Sequence, residues 1–161
     1  MPPSGQIAAS RFSTDVLEFL RLLGRHGVDY VVAGGVAVSF HGYPRLTGDI
    51  DFFYDRTLEN SGRLSNALHE FWQGRIPDVQ SAAELMEEGM VFQYGRPPNR
   101  IDLLNRIDGV TFAEARLGRE TVELVGDGEP VTAFYVGKDA LIKNKKATGR
   151  PKALDDVEHL S

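Results

Sequence analysis

Hydrophobic residues recur along the chain with two periods, and their alternation predicts a mixed order of helices and strands. Val16, Phe19, Leu20 and Leu23 are spaced as one face of a helix, with Ser13 as its N-cap, an end near His26 and Gly27 as its stop. Val28–Ala33 is a β-branched and aromatic run, the pattern of a buried strand. Gly34-Gly35 ends that strand, a short helix from Val36 to about His41 follows, and Gly42–Gly48 reads as a loop. Asp49–Tyr54 alternates acidic and apolar positions and reads as a second strand. Leu64, Leu68, Phe71 and Trp72 mark a second amphipathic helix, and a further short helix is expected around Ser81–Glu88. Met90–Tyr94 and Arg100–Leu104 are predicted as paired strands around the turn Gly95–Asn99. Thr111–Leu117 reads as helix, and Thr121–Val125 with Pro130–Val136 as a hairpin. Lys138–Leu160 reads as two short helices broken at Gly149-Arg150-Pro151. This order predicts an α+β (mixed α/β) class: a short mixed sheet flanked by helices. Residues 1–12, rich in Pro, Gly and Ser, are expected to form a flexible arm before a single domain over 13–161.

The second strand carries the chemistry. Asp49 and Asp51 stand two apart, so both carboxylates project from one face while Ile50 and Phe52 point into the core. Like charges side by side repel, and a hard divalent cation such as Mg²⁺ resolves that repulsion with the oxygen ligands it prefers. Two such cations, roughly 4 Å apart, can clamp an in-line phosphoryl or nucleotidyl transfer. Asp102 is the candidate third carboxylate, because a lone acid between Ile101 and Leu103 on a predicted strand is poorly placed for a solvated charge. An Asp-x-Asp also fits the polar face of an edge strand, and Asp108, just before Gly109, fits turn chemistry. Gly34-Gly35 shifts the balance. At a strand-to-helix junction, backbone N–H groups face outward, and a missing Cβ lets a phosphate approach them.

Charge sharpens this reading. The 161 residues include 18 basic and 23 acidic side chains, a net charge of −5, so the whole chain is not a generic polyanion binder. Lys138–Lys152 nevertheless holds six Lys or Arg against one acid, Asp139, a local patch suited to a focused anion such as a triphosphate. The absence of cysteine removes disulfides, thiolate metal sites and cysteine nucleophiles, and fits a reducing compartment. Met1–Phe12 has no apolar stretch of signal-peptide length, and no window approaches a membrane helix. A soluble, cytoplasmic protein with no membrane partner is expected. His26, His41, His69 and His159 show no metal-ligand spacing, and His41 suits exposure or helix capping. Trp72 belongs with the core. Arg96, Arg100 and Arg106, around Asp102, read either as collectors of acceptor phosphates or as ordinary solvated positions.

Val31-Val32-Ala33-Gly34-Gly35, thirteen intervening residues, then Asp49-Ile50-Asp51-Phe52 resembles the signature of the DNA polymerase β-like nucleotidyltransferase superfamily. The approach Arg45-Leu46-Thr47-Gly48-Asp49-Ile50-Asp51 is similar to small bacterial members, among them the AbiEii-type toxin nucleotidyltransferases. The tail, with Lys143, Lys145, Gly149-Arg150-Pro151-Lys152 and Asp156, is similar to the C-terminal segment of that group, with Ala153 where the group often has aspartate. The resemblance implies the nucleotidyltransferase fold and Mg²⁺-dependent (or Mn²⁺-dependent) transfer of a nucleoside monophosphate from an NTP to an acceptor, releasing pyrophosphate. It implies that Gly34 and Gly35 hold the triphosphate and that Asp49, Asp51 and Asp102 bind metal, with Asp102 as general base. Lys145, Arg150 and Lys152 would neutralise phosphate charge, and Asp156 would help form the nucleotide site. By their own position before the carboxylates, Arg45 and Thr47 read either as groups that touch triphosphate or orient Asp49, or as an ordinary polar loop. An RNA or protein acceptor leads, and a toxin role would add an antitoxin protein as partner. Two alternatives stay open: a small-molecule nucleotidyltransferase acting on an antibiotic-like hydroxyl, and a catalytically inactive nucleotide-binding module.

Overall fold

The computed structural model describes residues 5–44, 49–74, 76, 81–96 and 100–161. Helix α1 (Thr14–Arg25) begins where the Ser13 hydroxyl accepts a hydrogen bond from the Val16 N–H at 3.2 Å, and ends before Gly27 at φ +65°. Strand β2 (Tyr30–Ala33) runs directly into helix α2 (Gly34–Phe40), and strand β3 spans Asp49–Tyr54. Helices α3 (Leu58–Phe71) and α4 (Ala82–Met86) precede the antiparallel pair β4 (Val91–Tyr94) and β5 (Arg100–Leu104). Helix α5 (Phe112–Leu117) opens with a capping box between Thr111 and Glu114. Strands β6 (Glu120–Val125) and β7 (Val131–Tyr135) pair antiparallel. Helices α6 (Lys138–Thr148) and α7 (Pro151–Leu160) are separated by Gly149 in the left-handed conformation and by Pro151 at the first position of α7. The class is mixed α/β, as the element order predicts.

The sheet is larger than the short one expected. Among the described residues, seven strands line up as β1-β6-β7-β2-β3-β5-β4, with β1 being Gly5–Ala8. The expected flexible arm is therefore corrected over 5–11: Gly5–Ala8 pairs in parallel with β6, and Ala9–Arg11 forms a 3₁₀ turn. Four residues are too few for alternation to register in sequence, and the partner strand lies far along the chain, so only tertiary pairing defines β1.

Strand β3 separates two environments. Ile50, Phe52 and Tyr54 face the layer of α1 and α4: Phe52 meets Phe19 edge-on, and the Tyr54 hydroxyl donates to the Leu85 carbonyl at 2.8 Å. Asp49, Asp51 and Phe53 face the layer that includes α2 and α5, with Phe53 edge-on to Phe112 at 5.3 Å. Asn60, buried in α3, secures the far end of this arrangement. Its Oδ1 accepts from the Asp29 N–H at 2.7 Å, and its Nδ2 donates to the carbonyls of Asp29 and Asp55 at 3.0 and 2.6 Å. This three-bond tie holds the start of β2 against the end of β3. Helix α7 is fastened to the segment leading toward β3: Tyr43 stacks on His159 at 3.8 Å and donates its hydroxyl to Asp155 at 2.9 Å. Among the described residues, no helix is long and apolar enough to cross a membrane.

Candidate metal centre

Two strand pairings build the site. In the parallel β3–β5 pair, Asp49 stands opposite Arg100 and Asp51 opposite Asp102. Partners in register, two apart on each strand, put all four side chains on one sheet face. In the antiparallel β2–β3 pair, Asp51 stands opposite Ala33, which places Gly34 beside the Asp51 carboxylate. Asp49, Asp51 and Asp102 each offer an oxygen within 4.8 Å of the others. No other group of three or more His, Asp or Glu among the described residues converges this closely. The edge-strand reading of the Asp-x-Asp is excluded, since β3 lies inside the sheet between β2 and β5.

Gly34 serves the carboxylates first. Its φ is +65°, and a Cβ there would lie 2.2 Å from the Asp51 Oδ2. The space that a side chain would fill is taken by the chain's own carboxylate. The gap expected to admit a phosphate is thus occupied by Asp51. Gly35 lies in the first turn of α2, where backbone N–H groups lack helical partners.

Crowded negative charge marks the centre. The Asp51 carboxyl is pushed up to about 7, by burial first and then by the charges of Asp49 and Asp102 and a hydrogen bond shared with Asp102, while Lys145 acts in the opposite direction. Asp102 is only 5% exposed. Burial raises its pKa, and the Arg100 guanidinium pulls it back. Arg100 Nη2 donates to Asp49 Oδ2 at 2.7 Å and to Asp102 Oδ2 at 3.1 Å, and its Nε donates to Asp102 Oδ1 at 2.9 Å. Both carboxylates raise the Arg100 pKa above its ordinary value. This role of Arg100 was not legible in sequence, because its signal is the register of two strands that are distant along the chain. The donor set of three carboxylates fits a hard divalent cation, and the proton-binding tendency of Asp51 marks charge that such an ion would relieve.

Lys145 and Asp156, each expected near the nucleotide, pair with one another. Lys145 Nζ lies 3.4 Å from Asp156 Oδ2, with the Asp156 side chain 1% exposed. Breaking a buried ion pair leaves one charge uncompensated, so Asp156→Asn should cost about 3 kcal/mol and roughly 10 °C of melting temperature. Thermal unfolding in chelator, compared with a surface control such as Glu158→Gln, measures this.

Lys143 does not share the inward face of Lys145. Helical periodicity splits the expected patch, with Lys145 turned inward while Lys143 pairs with Glu114 at 2.6 Å on another face of α6. Arg150 and Lys152 are exposed at the start of α7 and have no side-chain partner among the described residues. Arg45 and Thr47 lie outside the described residues. His41 is the C-cap residue of α2, but its ring is buried rather than exposed, with Nε2 2.7 Å from the Val136 carbonyl oxygen. Trp72 packs against the core as expected. Asp108 and Gly109, the latter at φ +76°, form a turn between the bridged residues Ile107 and Val110. A cleft of about 640 Å³ lined by His41, Glu120, Lys138 and Lys143 includes none of the three carboxylates. We treat it as separate from the acidic centre, which is defined by converging ligands rather than by concavity.

No protein-family model matches the chain, and no curated protein gives a significant match to it.

Proposed function

We propose that this chain is a Mg²⁺-dependent nucleotidyltransferase of the DNA polymerase β-like superfamily, moving a nucleoside monophosphate from an NTP to a hydroxyl of an RNA or protein acceptor. The observation that carries this reading is the meeting of Asp49, Asp51 and Asp102 on one sheet face beside the glycine that opens α2. These three residues would hold the cation. Mg²⁺, or Mn²⁺ in its place, would supply Lewis-acid stabilisation of the charge on the transferring phosphoryl group.

The chain's own groups account for the rest. The main-chain N–H groups of Gly34 and Gly35 open the first turn of α2, where helical partners are lacking, and can donate to triphosphate oxygens. Lys145, held by Asp156, sets a positive charge near Asp51. Asp102, made more basic by burial, would accept the proton of the acceptor hydroxyl. Exposed Arg150 and Lys152 support an anionic macromolecule over a cationic small molecule as acceptor. A cytoplasmic location is part of the same proposal. A toxin role opposed by an antitoxin protein belongs to the family resemblance alone.

Incubation with each labelled NTP, Mg²⁺ and cell extract is expected to yield a labelled macromolecule. Absence of product with every NTP, together with absence of nucleotide binding by calorimetry, overturns the proposal. One observation favours a second reading, nucleotide binding without turnover. Ala153 is buried on the same face of α7 as Asp156, three residues on, where an aspartate would point toward the same site. Metal-dependent NTP binding with no product would decide for that reading.

A further inference from the structure

Two of the three carboxylates, Asp49 and Asp102, already have a cation of their own. Arg100 reaches them from the strand that carries Asp102, at the register position opposite Asp49. Its fork covers both oxygens of Asp102 and one of Asp49, at 2.9, 3.1 and 2.7 Å. Asp49 Oδ2 and Asp102 Oδ2 are thus bridged by a single nitrogen, Nη2. A divalent ion that ligates the triad needs lone pairs on these carboxylates, and it repels a guanidinium held in contact with the same oxygens. Arginine cannot leave by losing its proton, because it stays charged throughout the accessible pH range. It has to move. The side chain is 30% exposed, so it has an open direction in which to swing, whereas Asp102, at 7%, does not.

We propose that Arg100 is a tethered competitor for the metal: it bridges Asp49 and Asp102 when no ion is bound and must release Asp49 before the triad can close around a divalent cation. This inference rests on the metal site proposed above and adds what governs its filling. The bridge gives the carboxylates a defined, charge-compensated geometry in place of mutual repulsion. Its cost is weaker affinity for the free ion, since part of the binding energy is spent in breaking charge-assisted hydrogen bonds.

The test is titration of the full-length protein with Mn²⁺ alone, free ion being read by electron paramagnetic resonance, for wild type, Arg100→Gln and Arg100→Lys. Loss of the bridge should tighten Mn²⁺ binding by about tenfold or more in Arg100→Gln. Arg100→Lys keeps the charge but lacks the planar fork, and it too should bind more tightly than wild type. If Arg100→Lys matches wild type while Arg100→Gln is tighter, the effect is bulk charge and the competing bridge is overturned. Equal or weaker binding in both variants overturns it as well, while leaving the metal site intact. Absence of Mn²⁺ binding in all three proteins removes the metal site itself, and the competitor with it. Should Arg100→Gln fail to fold in chelator, Arg100→Lys against wild type decides alone.

Discussion

Asp51→Asn is expected to abolish nucleotidyl transfer and yet to melt higher than wild type when metal is absent. Both effects have one origin. The Asp51 carboxyl is driven from its ordinary 3.8 to about 7 by burial and by the charges of Asp49 and Asp102. Between these values the native protein holds a proton that the unfolded chain has lost. Stability from this group is therefore full at acid pH and falls as pH rises toward about 7. Replacing the acid with its neutral isostere should restore about 2 kcal/mol above neutral pH, or roughly 5 °C, after discounting for solvent and relaxation. The gain should shrink as pH falls below about 7 and vanish only below about 3.8, where Asp51 is protonated in the folded and the unfolded chain alike. Catalysis responds in the opposite sense: losing a metal ligand should cost about a thousandfold or more in rate, equivalent to ~4 kcal/mol of charge stabilisation. Added Mg²⁺ should raise the melting temperature of wild type and leave that of Asp51→Asn unchanged. A variant that transfers nucleotide at the wild-type rate, or melts lower in chelator at alkaline pH, would remove Asp51 from the centre.

Gly34→Ala is expected to be nearly as damaging, although it adds only a methyl group. The new Cβ would lie 2.2 Å from the Asp51 Oδ2, on a residue at φ +65°. The left-handed conformation alone costs an L-residue about 1–2 kcal/mol. Relief of the contact requires Asp51 to shift, and a displacement of about 1 Å at a reacting centre lowers the rate by roughly a hundredfold. The decisive measurement is Mn²⁺ affinity without nucleotide. Weakened metal binding in Gly34→Ala means that the glycine admits the carboxylate. Unchanged metal binding with a raised KM for NTP would mean that it serves the phosphate alone.

These expectations draw on information that reaches the sequence unevenly. The boundaries of β3 and of the α6–α7 break were legible because each rests on local chemistry: alternation over six residues in β3, and Gly149 with Pro151 between the helices. The pair Asp49 and Asp51 was legible for the same reason, since strand alternation alone puts them on one face. Asp102 could be suspected from its apolar neighbours. β1 could not, being four residues long and paired with a distant strand.

What the sequence by itself determined is the set of elements and the nature of the donors: two acids on one strand, a third on another, and a glycine turn ahead of them. Hydrophobic period, turn residues and charge are properties of neighbouring residues, so they survive without the fold. What only the tertiary structure decided is which residues share the site. Parallel register between β3 and β5 set Arg100 against Asp49 and Asp51 against Asp102, and β2 pairing put Gly34 under a carboxylate instead of leaving it open. The winding of α6 turned Lys145 inward and set Lys143 on another face, within a basic patch that looked continuous. Register and helical phase relative to a sheet are fixed by long-range packing, and no local pattern in the chain encodes them.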